Sequence, residues 1–342
     1  MEIYIVMLFI LLICWKIDKK QNKKIKIIPF VVMALVGGFR YNVGRDYDNY
    51  VNAFSYIVSG ISFKAEFLYR YLVLFVHKIG GTQQLVFLIV EIITCYLYFK
   101  FIYDNANDFY LSSLIYLCIG PYYFSSYNTI REALAVAIFL NSLKYLKENR
   151  NIYKFILCLS VGFFVHKSIL IGLIFIIIKD KFKKNYILSL IGVIGIFSLI
   201  INSGIVEKVL SMFNGDYDHY ISTFSQDMDF SYIIFGLIAI LILILNYYSK
   251  IEIEDVYLNM DIMSIIVIGF AFFTGRFTML FTRIASYFTP LFIIVIPQIL
   301  QCFKQKKIAK FIIVFACIVY FTILITTNED LNPYNYSFKL FE

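Results

Sequence analysis

Apolar runs without a charge recur from one end of this chain to the other. Seventeen consecutive residues, Tyr232 to Tyr248, carry no charged side chain. Such a run must be buried, and so many of them cannot share one soluble core. Of 342 residues, 61% are apolar and 16% charged. Soluble domains have about 45–50% and about 25%. The chain is therefore expected to be an all-α polytopic integral membrane protein. A spanning helix needs about 20 apolar residues. With about 240–260 residues inside the bilayer, that gives about 11–13 transmembrane helices joined by short loops. Residues 1–342 are read as a single transmembrane domain, with no space for a soluble catalytic domain. Any chemistry belongs to loops and helix ends at a membrane face.

Several function classes drop out on the same grounds. The six cysteines, Cys14, Cys95, Cys118, Cys158, Cys302 and Cys317, stand singly inside apolar runs with no CxxC pair. That excludes a zinc module and a disulfide scaffold. No metal and no cofactor is expected. The chain has no P-loop and no GxGxxG, the loops that cradle nucleotide phosphates. Two DxD spacings, Asp46-Tyr-Asp48 and Asp216-Tyr-Asp218, are too short to define a nucleotide-sugar site. The net charge of +8 belongs to membrane orientation, not to a nucleic-acid partner.

The expected spans are Ile3–Trp15, Ile27–Phe39, Leu85–Tyr103, Tyr110–Phe124, Asn128–Tyr145, Tyr186–Ile201, Tyr232–Tyr248, Ile262–Thr274, Ile284–Leu300 and Ile308–Thr326. Residues 40–82 form an outer loop and an amphipathic segment. Glu66, Arg70, His77 and Lys78 interrupt its apolar stretch, which suits a re-entrant or interfacial helix. Residues 155–178 lie between two basic clusters. Lys144, Lys147, Arg150 and Lys154 precede them; Lys179, Lys181, Lys183 and Lys184 follow. One span would put a cluster outside, against the usual bias of lysine and arginine toward the cytoplasm. A hairpin of two short helices, breaking near Val165-His166-Lys167, keeps both inside and is preferred. Residues 202–230 make a further outer loop, and both termini lie outside.

Under this topology 19 of 24 lysines face inward, and six of seven arginines face outward. Lysine follows the orientation rule; arginine reverses it. A guanidinium stays charged in a poorly solvated site and grips phosphate or carboxylate in two places. The outward arginines therefore indicate an anionic substrate at the outer face. Arg40, Arg131, Arg276 and Arg283 are the candidates. Arg45 and Arg70 are read as paired with local carboxylates. Arg131 lies in the first turn of a helix opened by Asn128, where exposed N–H groups favour anions, and Glu132 is its expected partner. Arg276 and Arg283 share a face if their segment is helical. Asp46 and Asp48 can orient an arginine, bond sugar hydroxyls or act as a base. His166, two residues before Ser168, is either a satisfied structural histidine or a general acid–base. Tyr50 is one of many outer tyrosines that suit sugar rings as well as an interfacial belt.

These motifs together resemble the EpsG family, the Wzy-type polysaccharide polymerases of capsule, O-antigen and exopolysaccharide pathways. The resemblance runs in order through Arg40-Tyr-Asn-Val-Gly-Arg-Asp46-Tyr-Asp-Asn-Tyr50, Glu66, Asn128-Thr-Ile-Arg131, His166-Lys-Ser168, Arg283 with Tyr287, and Asn332-Pro333-Tyr334. Glu132 departs from it, standing where glutamine is expected, and no proline follows Glu66. The resemblance implies a fold like that of the GT-C-like lipid-linked sugar transferases. It implies a glycosyltransferase in the bacterial cytoplasmic membrane, moving a growing glycan from undecaprenyl pyrophosphate onto a lipid-linked repeat unit. His166, Asp46 and Arg131 would then be catalytic. Arg40, Arg276, Arg283, Tyr50, Glu66, Asn128, Ser168 and Tyr287 would bind substrate. Implied partners are undecaprenyl-pyrophosphate-linked oligosaccharides, membrane lipid, and a flippase and chain-length regulator of the same pathway. Two alternatives stand beside this. A flippase or transporter of lipid-linked sugars should carry charges through several span centres, and Glu91 is the exception among nearly uncharged centres. A membrane O-acyltransferase would not call for outward arginines.

Overall fold

The structure is a computed structural model, and it describes residues 1–147, 151–178, 230–248, 253, 255–274 and 278–341. They are mostly helical. Three stretches are long and apolar enough to cross a membrane: Gln83–Asn105, Phe281–Ile299 and Lys306–Thr327. Five shorter apolar helices are Phe109–Cys118, Ile152–Phe163, Lys167–Ile176, Ile234–Asn246 and Tyr257–Gly269. The expected span Tyr186–Ile201 and the outer loop 202–230 fall outside the described residues, apart from Phe230.

The chain forms two compact units. The first comprises Met1–Tyr145, Tyr153–Leu170 and Phe303–Glu342. Its helices are α1 (Glu2–Ile17), α2 (Lys23–Phe39), α3 (Tyr47–Val58), α4 (Phe67–Lys78), α5 (Gln83–Asn105), α6 (Phe109–Cys118), α7 (Ser125–Asn128), α8 (Ile130–Ser142), α9 (Lys144–Lys147) and α10 (Ile152–Phe163), with Lys306–Thr327 near the C-terminus. Two short strands, β1 (Arg40–Tyr41) and β2 (Asn335–Tyr336), pair antiparallel.

Local chemistry explains several boundaries. Asn22 caps α2 by accepting from Lys24 N–H at 2.9 Å. Asp108 caps α6 by accepting from Leu111 N–H at 3.2 Å, and it pairs with Lys310. The expected span Tyr110–Phe124 does not persist. Helix α6 ends at Cys118, and Gly120-Pro121 cannot continue it. The expected span Asn128–Tyr145 begins instead at Ile130, because Thr129 (φ −109°, ψ 60°) breaks the helix. Helix α10 ends at Phe163, and a 3₁₀ turn, Lys167–Leu173, follows. The break at 164–166 falls where polar residues interrupt the apolar run. A Cβ on Gly162 would come within 2.1 Å of Ile169 Cδ1. A continuous helix would set those positions about 10 Å apart, so the chain has bent back there.

Helices α2 and α5 approach closely because Gly37 and Gly38 lack side chains. A Cβ on Gly37 would meet the Glu91 carboxyl carbon at 2.6 Å, and one on Gly38 would meet Leu88 Cα at 2.9 Å. Small residues serve this purpose between apolar helices. The approach sets Arg40, just beyond α2, against Glu91 of α5 at 3.8 Å, both about 1% exposed. The Arg40 guanidinium lies 4.8 Å from the ring centres of Phe87 and Tyr127. It donates to Gly37 O and, at 3.1 Å, to Ser126 O. Glu91 accepts from Ser126 Oγ at 2.9 Å. Breaking a buried ion pair from one side strands the other charge, which costs about 3–5 kcal/mol. Arg40→Ala is therefore expected to lower the unfolding midpoint and the yield of folded protein, and Arg40→Ala with Glu91→Leu should recover much of the loss. A thermal melt in detergent reads both.

The C-terminal segment fastens this end of the unit. Tyr334 Oη donates to Val36 O at 2.8 Å, Ser337 N–H to Phe39 O at 2.9 Å, and Thr82 N–H to Leu340 O at 2.8 Å. Gly44, at φ +101°, donates to Asp330 O at 2.8 Å. That left-handed position would strain any other residue.

The second unit is Leu146–Ile152 with Ile171–Cys302. Its helices include Phe230–Tyr248 and Asp255–Thr274. Gly236 sits against Ile268, where a Cβ would come within 3.1 Å of Cγ2. The expected span Ile262–Thr274 is a longer helix that takes Asp261 inside, fully buried. Glu91 is thus not the single carboxylate within an apolar helix.

Candidate functional site

Three polar side chains of the first unit converge, each placed by a different element. Glu66 holds the N-cap position of α4 in extended backbone (φ −64°, ψ 152°). Behind it α4 is amphipathic, burying Tyr69, Val73 and Val76 at helical spacing. Arg131 lies in the first turn of α8. His166 ends the turn after α10. Leu68 N–H donates to Phe164 O at 2.9 Å, tying the start of α4 to that turn.

The Glu66 carboxylate uses one oxygen for each partner. Oε1 is 2.7 Å from His166 Nδ1, and Oε2 pairs with Arg131 Nη1. The Arg131 guanidinium also lies 5.5 Å from the Tyr69 ring centre and 5.9 Å from that of Tyr50. Those two rings meet edge-on at 6.0 Å, giving the cation two aromatic neighbours. Glu66 is 11% exposed, and Arg131 and His166 are each 21% exposed. The cluster is sheltered but open to a ligand.

Burial by itself pushes the Glu66 carboxyl up. The hydrogen bond with His166 and the Arg131 charge overcome this and hold it at about 2. Glu66 is therefore ionised at neutral pH and can only accept. It takes the Nδ1 hydrogen of His166, leaving Nε2 as the free ring nitrogen. Because the folded value lies below the ordinary 4.5, the stabilisation is complete above about 4.5. It is lost as pH falls toward 2. Glu66→Gln should flatten that acid limb of the unfolding curve, since an amide does not titrate there. A pH series of thermal melts on both proteins checks this.

Other expected residues take different places. Arg40 is buried against Glu91, at about 1% exposure. Arg131 pairs with Glu66 and not with the expected Glu132, which is buried. Asp46 stands at the start of α3 and accepts from Asn49 Nδ2 at 3.1 Å. Asn128 accepts from Arg45 N–H at 2.7 Å, fastening the 42–46 loop. Tyr50 is buried, beside Arg131. Ser168 is half-buried in the 3₁₀ turn after His166. In the second unit, Arg283 is half-buried in the last turn of the helix Thr278–Ala285, and Tyr287 is fully buried. Arg276 lies outside the described residues, and with it the expected shared face. Tyr69 is a site residue the sequence reading missed. It follows Glu66 by three positions, and its ring reaches Arg131 from the first turn of α4.

Taken together, this is an apolar-helix protein consistent with membrane residence. It carries a sheltered histidine–carboxylate–arginine cluster at the ends of three helices. Residues 23–338 match the EpsG family, and the chain belongs to that family. The family is associated with polysaccharide polymerisation. No curated protein and no solved structure matches the chain, so a GT-C-like fold has no support from a solved relative.

Proposed function

We propose that this protein is a bacterial polysaccharide polymerase, a glycosyltransferase of the Wzy type. It transfers a growing glycan from undecaprenyl pyrophosphate onto a lipid-linked repeat unit at the outer face of the cytoplasmic membrane. The observation that carries this reading is the single Glu66 carboxylate bridging His166 and Arg131. A base and a cation are thereby fixed side by side. The acceptor hydroxyl gives its proton to His166 Nε2 as its oxygen bonds the anomeric carbon. The bond from that carbon to the pyrophosphate oxygen breaks, and its electron pair leaves with the pyrophosphate. Arg131 stabilises the charge that develops there. Glu66 positions the pair, each of its oxygens holding one partner, and its remaining lone pairs can still accept from a sugar hydroxyl.

By resemblance to the family motif, Asp46 is the second candidate for the base. Arg40, paired with Glu91 in the interior, is proposed to act through the fold. A flippase and a chain-length regulator are the proposed partners. The test is extension of a purified lipid-linked repeat unit by the detergent-solubilised protein. A ladder of longer glycans is expected. Movement of lipid-linked sugar across vesicles without a ladder would make the protein a flippase.

A further inference from the structure

We infer that an exposed ring cluster, Phe67, Tyr71 and Phe164, seats the apolar chain of the lipid-linked substrate whose anionic end meets Arg131. The inference rests on the polymerase reading in taking the substrate to be lipid-linked. Phe67 and Tyr71 lie one turn apart on α4, with ring centres 4.4 Å apart. Phe164 comes from the turn after α10 and lies 5.9 Å from Phe67. All three are open, at 57%, 58% and 49% exposure.

The cluster is continuous with the charged site. Phe67 follows Glu66 directly, and Phe164 stands two residues before His166. The bond from Leu68 N–H to Phe164 O holds the two segments together. One junction thus presents a charged group inward and an apolar surface outward. The ligand that needs both within a few ångströms is an amphiphile with an anionic head.

Charge supports the same occupant. Glu66 cancels the charge of Arg131. A diphosphate needs more positive charge than that. Arg70, on the first turn of α4, and Lys167, next to His166, are both exposed and are the nearest cations in sequence to supply it. Farther along α4, Phe75 is equally exposed. It is about 12 Å from Phe67 along the helix, too far to share a ligand head at Arg131. It separates substrate seating from general contact with the bilayer.

The test uses the full chain in nanodiscs and a polyprenyl diphosphate that carries a photoreactive group on its tail and no sugar. Mass spectrometry locates the label. Labelling is expected at Phe67–Tyr71 and at Phe164. Excess unlabelled polyprenyl diphosphate should suppress it; equal phosphatidylglycerol should not. The Phe67→Ala, Phe164→Ala double variant should label about tenfold less, as expected for loss of two rings that the bound chain would cover. Phe75→Ala should label normally. Label elsewhere, suppression by phosphatidylglycerol, or an equal loss in Phe75→Ala would overturn the inference. Because the probe has no sugar to transfer, the outcome is independent of catalysis. A protein that labels here and never extends a glycan keeps the lipid seat and loses the polymerase reading. One that extends glycans and labels elsewhere does the reverse.

Discussion

His166→Ala is expected to slow glycan extension by about 10²–10⁴-fold, the usual contribution of one positioned base. The expectation follows from where the imidazole is held. Glu66 fixes Nδ1 at 2.7 Å and leaves Nε2 free, so the ring enters the reaction with one tautomer and one orientation. Loss of the ring should lower kcat and leave KM for the lipid-linked unit nearly unchanged, because His166 acts on a proton and not on the pyrophosphate. The fold should survive, since the ring is partly open and Arg131 continues to hold Glu66. A steady-state assay of chain growth, with a thermal melt as control, checks both. Unchanged growth in His166→Ala would remove the base from this mechanism.

Legibility of the fold from sequence depended on how local each signal was. Helix α5 and Lys306–Thr327 are long enough to announce themselves as apolar runs. The break at 164–166 was readable because polar residues cluster there and nowhere else in that run. Arg131 in a first turn was readable from the polar step before its apolar run. Pairings between elements were not readable in this way. Arg40 and Glu91 each look solitary in the sequence, one an outer arginine and the other a lone charge in a span. Their association is made by Gly37 and Gly38, which let two helices touch. Periodicity reports which face a residue occupies and not which helix meets it. The same limit hid the site. Glu66 is 65 residues from Arg131 and 100 from His166, so no spacing rule links them. Charge sign alone favoured the neighbouring Glu132 for Arg131. Helix lengths were overestimated where Gly120-Pro121 and Thr129 end helices inside apolar stretches, because hydropathy continues through such breaks and backbone hydrogen bonding does not.

Arg131→Ala is expected to cost about 10²–10³-fold in kcat/KM, the range for losing one charge-stabilising donor at a reaction centre. Two effects combine in it. The cation that meets the departing pyrophosphate is gone, and Glu66 loses the charge that helped hold its carboxyl down. Burial then pushes that carboxyl back up, and a less ionised Glu66 orients His166 less firmly. The arginine and the histidine therefore act through a shared carboxylate, and their substitutions should not add. Arg131→Ala in a His166→Ala background should cost much less than it does alone, because part of its effect runs through a ring already absent. Arg131→Lys sorts the contributions. It restores a positive charge beside Glu66 but cannot bond carboxylate and phosphate at once with a planar fork. It should recover the part of kcat that runs through His166 while leaving KM for the lipid pyrophosphate raised. Recovery of both would reduce Arg131 to a bare charge, and strictly additive losses in the double variant would show that Glu66 does not couple the two.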